Sequence, residues 1–139
     1  MFMSDISTIM RRMRLYADRS LADRGIGFPE QLVLMHLSAE GTSNQESIAS
    51  KFNIDKGAVA KTIAKLEEKG LVIRQVNPEN KREKQVSLAP SAHEVLKAMA
   101  HTLQGLETTM FQGLTEEEIA VTFASLARIA ANLTEEQKE

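Results

Sequence analysis

Two short amphipathic segments, "SNQESIASKF" at 43–52 and "DKGAVAKTIAKLEEKG" at 55–70, stand only the break "NI" apart, and β-prone runs follow at once. Helices this short and this tightly joined must turn their apolar edges onto one shared core. In the first, Ile48, Ala49 and Phe52 face inward behind an N-cap at Ser43 or Asn44. In the second, Asp55 is the N-cap and Val59, Ile63 and Leu66 fall at i, i+4 and i+7, forming the buried edge. Gly70 is a C′ residue able to adopt positive φ. "LVIRQV" and "KQVSL", separated by "NPENKRE", then read as two strands and a hairpin loop. Two helices, a tight turn and a hairpin make a winged helix-turn-helix, here over residues 28–90.

The flanks are helical. Ile6, Ile9, Met10 and Met13 give residues 5–24 a helical period that Gly25 and Gly27 stop. Pro29 suits a first helical turn, with Leu32, Met35 and His36 on one face before Gly41 ends that helix. "SAHE" at 91–94 and "TEEE" at 115–118 fit the S/T-x-x-E capping box. Behind the first, Leu96, Met99, Leu103, Leu106 and Met110 step by 3, 4, 3, 4; behind the second, Ile119, Phe123, Leu126, Ala130 and Leu133 step by 4, 3, 4, 3. Such heptad-like seams are more continuous than a lone surface helix needs, and packing them against a second copy is the natural solution. The expected fold is mainly α with a small β-hairpin wing: one domain over 1–139, its 5–24 and 91–133 helices forming a dimerisation lobe.

Charge locates the working surface. The net charge is only −2, but residues 1–43, 44–90 and 91–139 carry 0, +3 and −5. The cations of the middle third sit where a helix-turn-helix meets duplex DNA, whose major groove, about 12 Å wide, admits one helix. Lys56 and Lys61 lie where base edges or phosphates would be, Lys65 tracks a phosphate, and Lys81 and Arg82 occupy the wing tip. Lysines alone would also suit a solvated structural helix; it is the hairpin behind them that points to DNA. A winged helix can instead serve as a protein-docking or dimerisation module, but such a module needs no cations on both recognition helix and wing.

Other chemistry lacks its residues. The absence of cysteine excludes disulfides, thiolate metal sites and cysteine redox sensing. No Gly-rich phosphate loop, G-x-S-x-G or H-E-x-x-H is present, so neither catalysis nor a cofactor is expected. His93 and His101 are eight residues apart on one helix, about 12 Å, too far to share a metal by themselves. No apolar run approaches a membrane span and the N-terminus lacks a signal-peptide pattern, so the cytoplasm is the expected compartment.

"NQESIASKFNIDKGAVAKTIAKLEEKGLVIRQVNPENKREKQVSLAPSAHEVL" resembles the core of the MarR family of bacterial transcriptional regulators, most specifically in "LEEKGLVIR", the following "RE" and "VSLA". The resemblance covers nearly the whole chain. It implies a homodimer whose first and last helices interdigitate, one winged lobe per subunit on double-stranded DNA, in most members repression, and in many release of DNA on binding small, often phenolic, anions. Residue by residue it carries departures. The family's wing usually reads Asp-x-Arg; here it is Asn80-Lys81-Arg82, so Arg82 keeps the minor-groove role while Asn80 offers neutral hydrogen bonds. Recognition-helix positions often Ser, Thr or Arg are Gly57 and Ala60, which implies sparse base readout with more weight on phosphates and groove shape. The family's effector site lies between dimer helices and winged lobe, where Arg12, Tyr16 and His36 are the candidates to offer a cation, a ring and a polar edge; taken singly, each reads first as a packing residue.

Overall fold

The computed structural model describes residues 1–136. Helix α1 (Phe2–Ser20) leads through a 3-10 turn at Ala22–Arg24 to α2 (Phe28–Glu40); strand β1 (Ser43–Asn44) precedes α3 (Gln45–Phe52) and α4 (Lys56–Glu68). Strands β2 (Val72–Asn77) and β3 (Asn80–Leu88) form the hairpin, and α5 (Ala92–Met110) and α6 (Glu116–Glu136) follow. This is the mainly α, winged helix-turn-helix class expected. Residues through Gln104 form one compact unit, and those from Gly105 another.

The turn between α3 and α4 is built by its caps. Asn44 Oδ1 accepts from Ser47 N at 2.7 Å to start α3, and Asp55 Oδ2 accepts from Ala58 N at 3.2 Å to start α4. Asn53 ends α3 at φ 55, the one positive-φ non-glycine among the described residues, and asparagine tolerates that region better than most residues. Ile54 N then returns to Ala49 O at 3.0 Å. Helix α4 closes with Gly70 at φ 73: Leu71 N reaches Leu66 O and Gly70 N reaches Glu67 O, both at 2.9 Å. That pair of bonds is a Schellman motif, with Leu66 and Leu71 both buried beside it.

The core of this unit gathers Leu34, Leu37, Ile48, Val59, Ile63, Leu66, Val72 and Val86 with Ala92, Val95 and Met99 of α5. At about 1.5–3 kcal/mol for each large apolar side chain fully buried, the α4 edge alone outweighs any single surface contact.

Four local expectations need correction. The buried face of α2 is Glu30, Gln31, Val33, Leu34 and Leu37, whereas Met35 is exposed and Leu32 and His36 are half-buried. Gln31 decides this rotation, because its amide donates to Ala17 O at 2.7 Å and Ile26 O at 3.5 Å, so a polar residue occupies a core position. The hairpin loop contracts from "NPENKRE" to Pro78–Glu79, since Asn77 Oδ1 accepts from Glu79 N at 3.0 Å and closes the turn. The wing also has a third strand: β1 pairs with β3, Ser43 facing Val86 and Asn44 facing Gln85, giving the order β1-β3-β2. Finally, Ser91 does not start a capping box; its Oγ donates to Gly70 O, tying the start of α5 to the end of α4.

In the second unit the other capping box forms as expected. Thr115 Oγ1 accepts from Glu118 N at 3.1 Å, and Glu118 Oε1 accepts from Thr115 N at 3.3 Å. Phe111 and Phe123 meet edge to face at 5.5 Å. Val121, Phe123, Leu126, Ile129 and Leu133 of α6 remain exposed.

Candidate nucleic-acid interface

Because Val59, Ile63 and Leu66 fix one edge of α4 in the core, the same helical period turns Gly57, Lys61 and Lys65 to solvent, with Ala60 half-buried; Lys56 is in phase with the buried edge and is exposed because it is the first residue of the helix. Lys56 Nζ lies 3.4 Å from Glu46 Oε1, but both side chains are largely exposed, so this pair holds Lys56 only weakly. Gly57 has a structural reason that spacing alone did not reveal. A Cβ added there would come 2.9 Å from Asp55 Oδ2, the very oxygen that caps the helix. The bare N-terminus of α4 and its cap are therefore one feature.

At the wing tip Lys81 and Arg82 are exposed. Asn80 Oδ1 accepts from Arg82 N at 3.2 Å, so a neutral amide oxygen suffices to hold the backbone of the cation beside it. A cleft of about 360 Å³ runs between wing and helices, and Lys56, Arg82 and Lys84 all contribute to its walls. One candidate cation of the helix, Lys56, and one of the wing, Arg82, thus border the same depression, Lys84 joins them unanticipated, and Lys61, Lys65 and Lys81 are not in its lining.

The residues that hold wing to helices were also unanticipated. Arg74 of β2 donates to Gln45 Oε1 at 3.3 Å and to Glu67 Oε1 at 3.2 Å, linking the strand to the start of α3 and the end of α4. Glu83 of β3 accepts from Asn44 Nδ2 at 3.0 Å and from Asn77 Nδ2 at 3.2 Å. Each is a charged residue in a short strand with a half-buried position, a signal visible only once the register is known.

The effector candidates are dispersed. Arg12 and Tyr16 lie one turn apart on α1, both exposed. His36 meets the Phe52 ring edge to face at 5.8 Å, and its Nε2 lies 3.1 Å from Ser43 Oγ. Ser43 Oγ also lies 3.0 Å from Gly41 O, and the tautomer of His36 sets which of the two side chains donates between them. A cavity of about 500 Å³ has His36, Ser43, Ser47 and Lys51 in its lining, but neither Arg12 nor Tyr16. Among the described residues, no three His, Cys, Asp or Glu side chains are placed to hold a metal ion, and no helix is long and apolar enough to cross a membrane.

A three-stranded wing behind two capped short helices defines the winged helix-turn-helix class. Within it, the MarR family model matches residues 29–84, the span from the start of α2 into β3, the central strand of the wing's sheet. Solved structures extend the likeness along the chain. A crystal structure of MarR is 24% identical with a TM-score of 0.87, over 97% of this chain and 92% of that one. A MarR transcriptional regulator from Methanosarcina mazei Go1 is 26% identical with a TM-score of 0.85, over 95% and 96%. The DNA complex of MepR from S. aureus is 24% identical with a TM-score of 0.82, over 95% and 98%. The chain has the MarR-family sequence pattern in its winged lobe and the fold of MarR-family transcriptional regulators throughout.

Proposed function

We propose that this chain is a sequence-specific, double-stranded DNA-binding transcriptional regulator that acts as a homodimer on a palindromic operator, as a ligand-responsive repressor in the cytoplasm. The observation that carries the reading is the exposure of cations on both helix and wing: Lys61 and Lys65 leave α4 away from its buried edge, Lys56 stands exposed at its first residue, and Lys81 and Arg82 lie at the wing tip. The likeness to MepR, whose structure was solved with DNA, supports the same use of this fold. Lysines would supply phosphate contacts, Ala60 could meet a thymine methyl, Gly57 would admit close backbone approach, and Arg82 would enter the minor groove.

Dimerisation is supported by the seams. On α1 Phe2, Met3, Ile9 and Met10 are exposed, as are Leu103 and Met110 of α5 and the apolar row on α6. Side chains at heptad spacing left in water call for a partner, and a second copy offers matching seams. A small anionic or aromatic effector at the junction of dimer helices and winged lobe, near Arg12, Tyr16 or His36, would act by favouring a geometry whose recognition helices no longer match the operator.

Selection from random-sequence duplexes tests the core of this reading. A two-fold dimer should recover inverted repeats with half-sites about 10–10.5 base pairs apart. Affinity should fall with salt at a log–log slope of about −0.9 per neutralised phosphate. Recovery of no repeat, or binding indifferent to salt, would refute it.

A further inference from the structure

We propose that Glu83 is a positioning residue that locks the wing to the helix-turn-helix, and that the lock requires a carboxylate. The wing has a weak point. The β2–β3 register runs regularly to Val76↔Lys84 and then jumps to Asn77↔Asn80, leaving Lys81, Arg82 and Glu83 without facing residues on β2. The two cations of the wing tip therefore sit on an irregular segment, which the local Asn80 Oδ1 to Arg82 N bond shapes but does not tie to the rest of the lobe.

Glu83 supplies that hold from both sides. Its Oε1 accepts from Asn44 Nδ2 at 3.0 Å and its Oε2 from Asn77 Nδ2 at 3.2 Å. Neither asparagine can turn its amide over. Asn44 Oδ1 is committed to Ser47 N, the cap of α3, and Asn77 Oδ1 to Glu79 N, the turn of the hairpin. Both must present NH₂ groups, and only a group that accepts at both oxygens meets them. The wing tip is thereby joined through one side chain to the first turn of α3. A glutamine in place of Glu83 would face one NH₂ with another, whichever way it turned.

The lock rests on the structure alone; its use in placing Arg82 rests on the DNA-binding reading, and the experiment separates the two. Amide hydrogen exchange without DNA is followed at residues 79–84 in the full-length wild type, Glu83→Gln, Asn77→Asp and the double variant. Each single change should accelerate exchange roughly tenfold, one by opposing two donors and the other by opposing two carboxylates. The double variant should return to wild-type rates at unchanged net charge. In it the introduced glutamine can donate to the introduced aspartate while still accepting from Asn44. Exchange unaltered in Glu83→Gln, or not restored in the double variant, overturns the lock. The second arm uses duplexes recovered by the wild-type protein, with A·T-rich or G·C-rich flanks. Glu83→Gln should lose the flank preference and the double variant regain it. Unaltered preference in Glu83→Gln would show that the wing needs no lock to place Arg82. Failure of the wild type to recover any duplex would sink the DNA-binding reading, leaving the exchange cycle to decide the lock.

Discussion

Helices α4 and α6 carry the same kind of apolar edge and meet opposite fates. On α4, Ile63 and Leu66 are fully buried, and Val59 nearly so. On α6, Phe123, Leu126 and Leu133 are 54%, 44% and 60% exposed although they repeat as regularly. The α4 edge is short, capped at both ends and answered within the chain by α2, α3 and the sheet. The α6 edge runs the length of a long helix. Periodicity thus reports an apolar face without reporting what covers it; on the homodimer proposal the α4 face is a core and the α6 face an interface.

The largest effect should come from the closed side. Ile63→Ala removes a fully buried side chain from the centre of the winged lobe and should cost about 2–5 kcal/mol. Chemical denaturation would show a lowered midpoint. A loss under about 1 kcal/mol would mean that the α4 edge is less firmly packed than its burial indicates.

Leu126→Lys probes the open side. In a lone chain a half-exposed leucine replaced by lysine should matter little, whereas in a dimer it buries a charge on each side of the two-fold interface. Sedimentation at micromolar concentration should give about twice the 15.4 kDa chain mass for the wild type and the single mass for the variant. The wild-type melting temperature should also rise with protein concentration and that of the variant should not. A wild type that sediments as a clean monomer erases the distinction between core and interface.

Much of this contrast was legible in the sequence, because it depends on period and caps. The Asn44 and Asp55 caps, the Val59–Ile63–Leu66 edge and the Thr115–Glu118 box are local patterns, and local physics fixes them. What the sequence hid depends on partners distant along the chain. Gln31 turned the face of α2 by reaching the carbonyls of Ala17 and Ile26. Strand β1 is two residues long and exists only because β3 lies beside it. Of the candidate interface, the exposure of Lys61 and Lys65 followed from helical phase and that of Lys81 and Arg82 from the hairpin. Glu83 and Arg74 did not, since their importance lies in contacts 39 and 29 residues away in sequence.

A smaller effect separates the two ends of α4. Glycine to alanine inside an exposed helix ordinarily stabilises by about 1 kcal/mol. At Gly57 the new Cβ would crowd Asp55 Oδ2 at 2.9 Å and disturb a cap of typically about 1 kcal/mol, so the two effects should nearly cancel. Thermal denaturation of Gly57→Ala in wild-type and Asp55→Ala backgrounds checks this: the alanine should stabilise only where the cap is already gone. Equal stabilisation in both would show that Asp55 moves aside without cost.

The smallest effect concerns the exposed start of α4, where stability and binding should come apart. Lys56 and Glu46 are 74% and 78% exposed in their side chains and 3.4 Å apart, a pair expected to contribute under about 1 kcal/mol to folding. Glu46→Gln should therefore leave the denaturation midpoint almost unmoved. It also removes a negative charge next to a cation assigned to phosphate. If Lys56 contacts DNA, releasing it should raise affinity at low salt by a few-fold, with the advantage fading as salt screens it. Lys56→Ala should do the reverse, weakening binding and reducing the magnitude of the salt slope by about 0.9. Should both variants bind as the wild type does, Lys56 is a solvated surface charge, and the DNA path lies nearer Lys61, Lys65 and the wing.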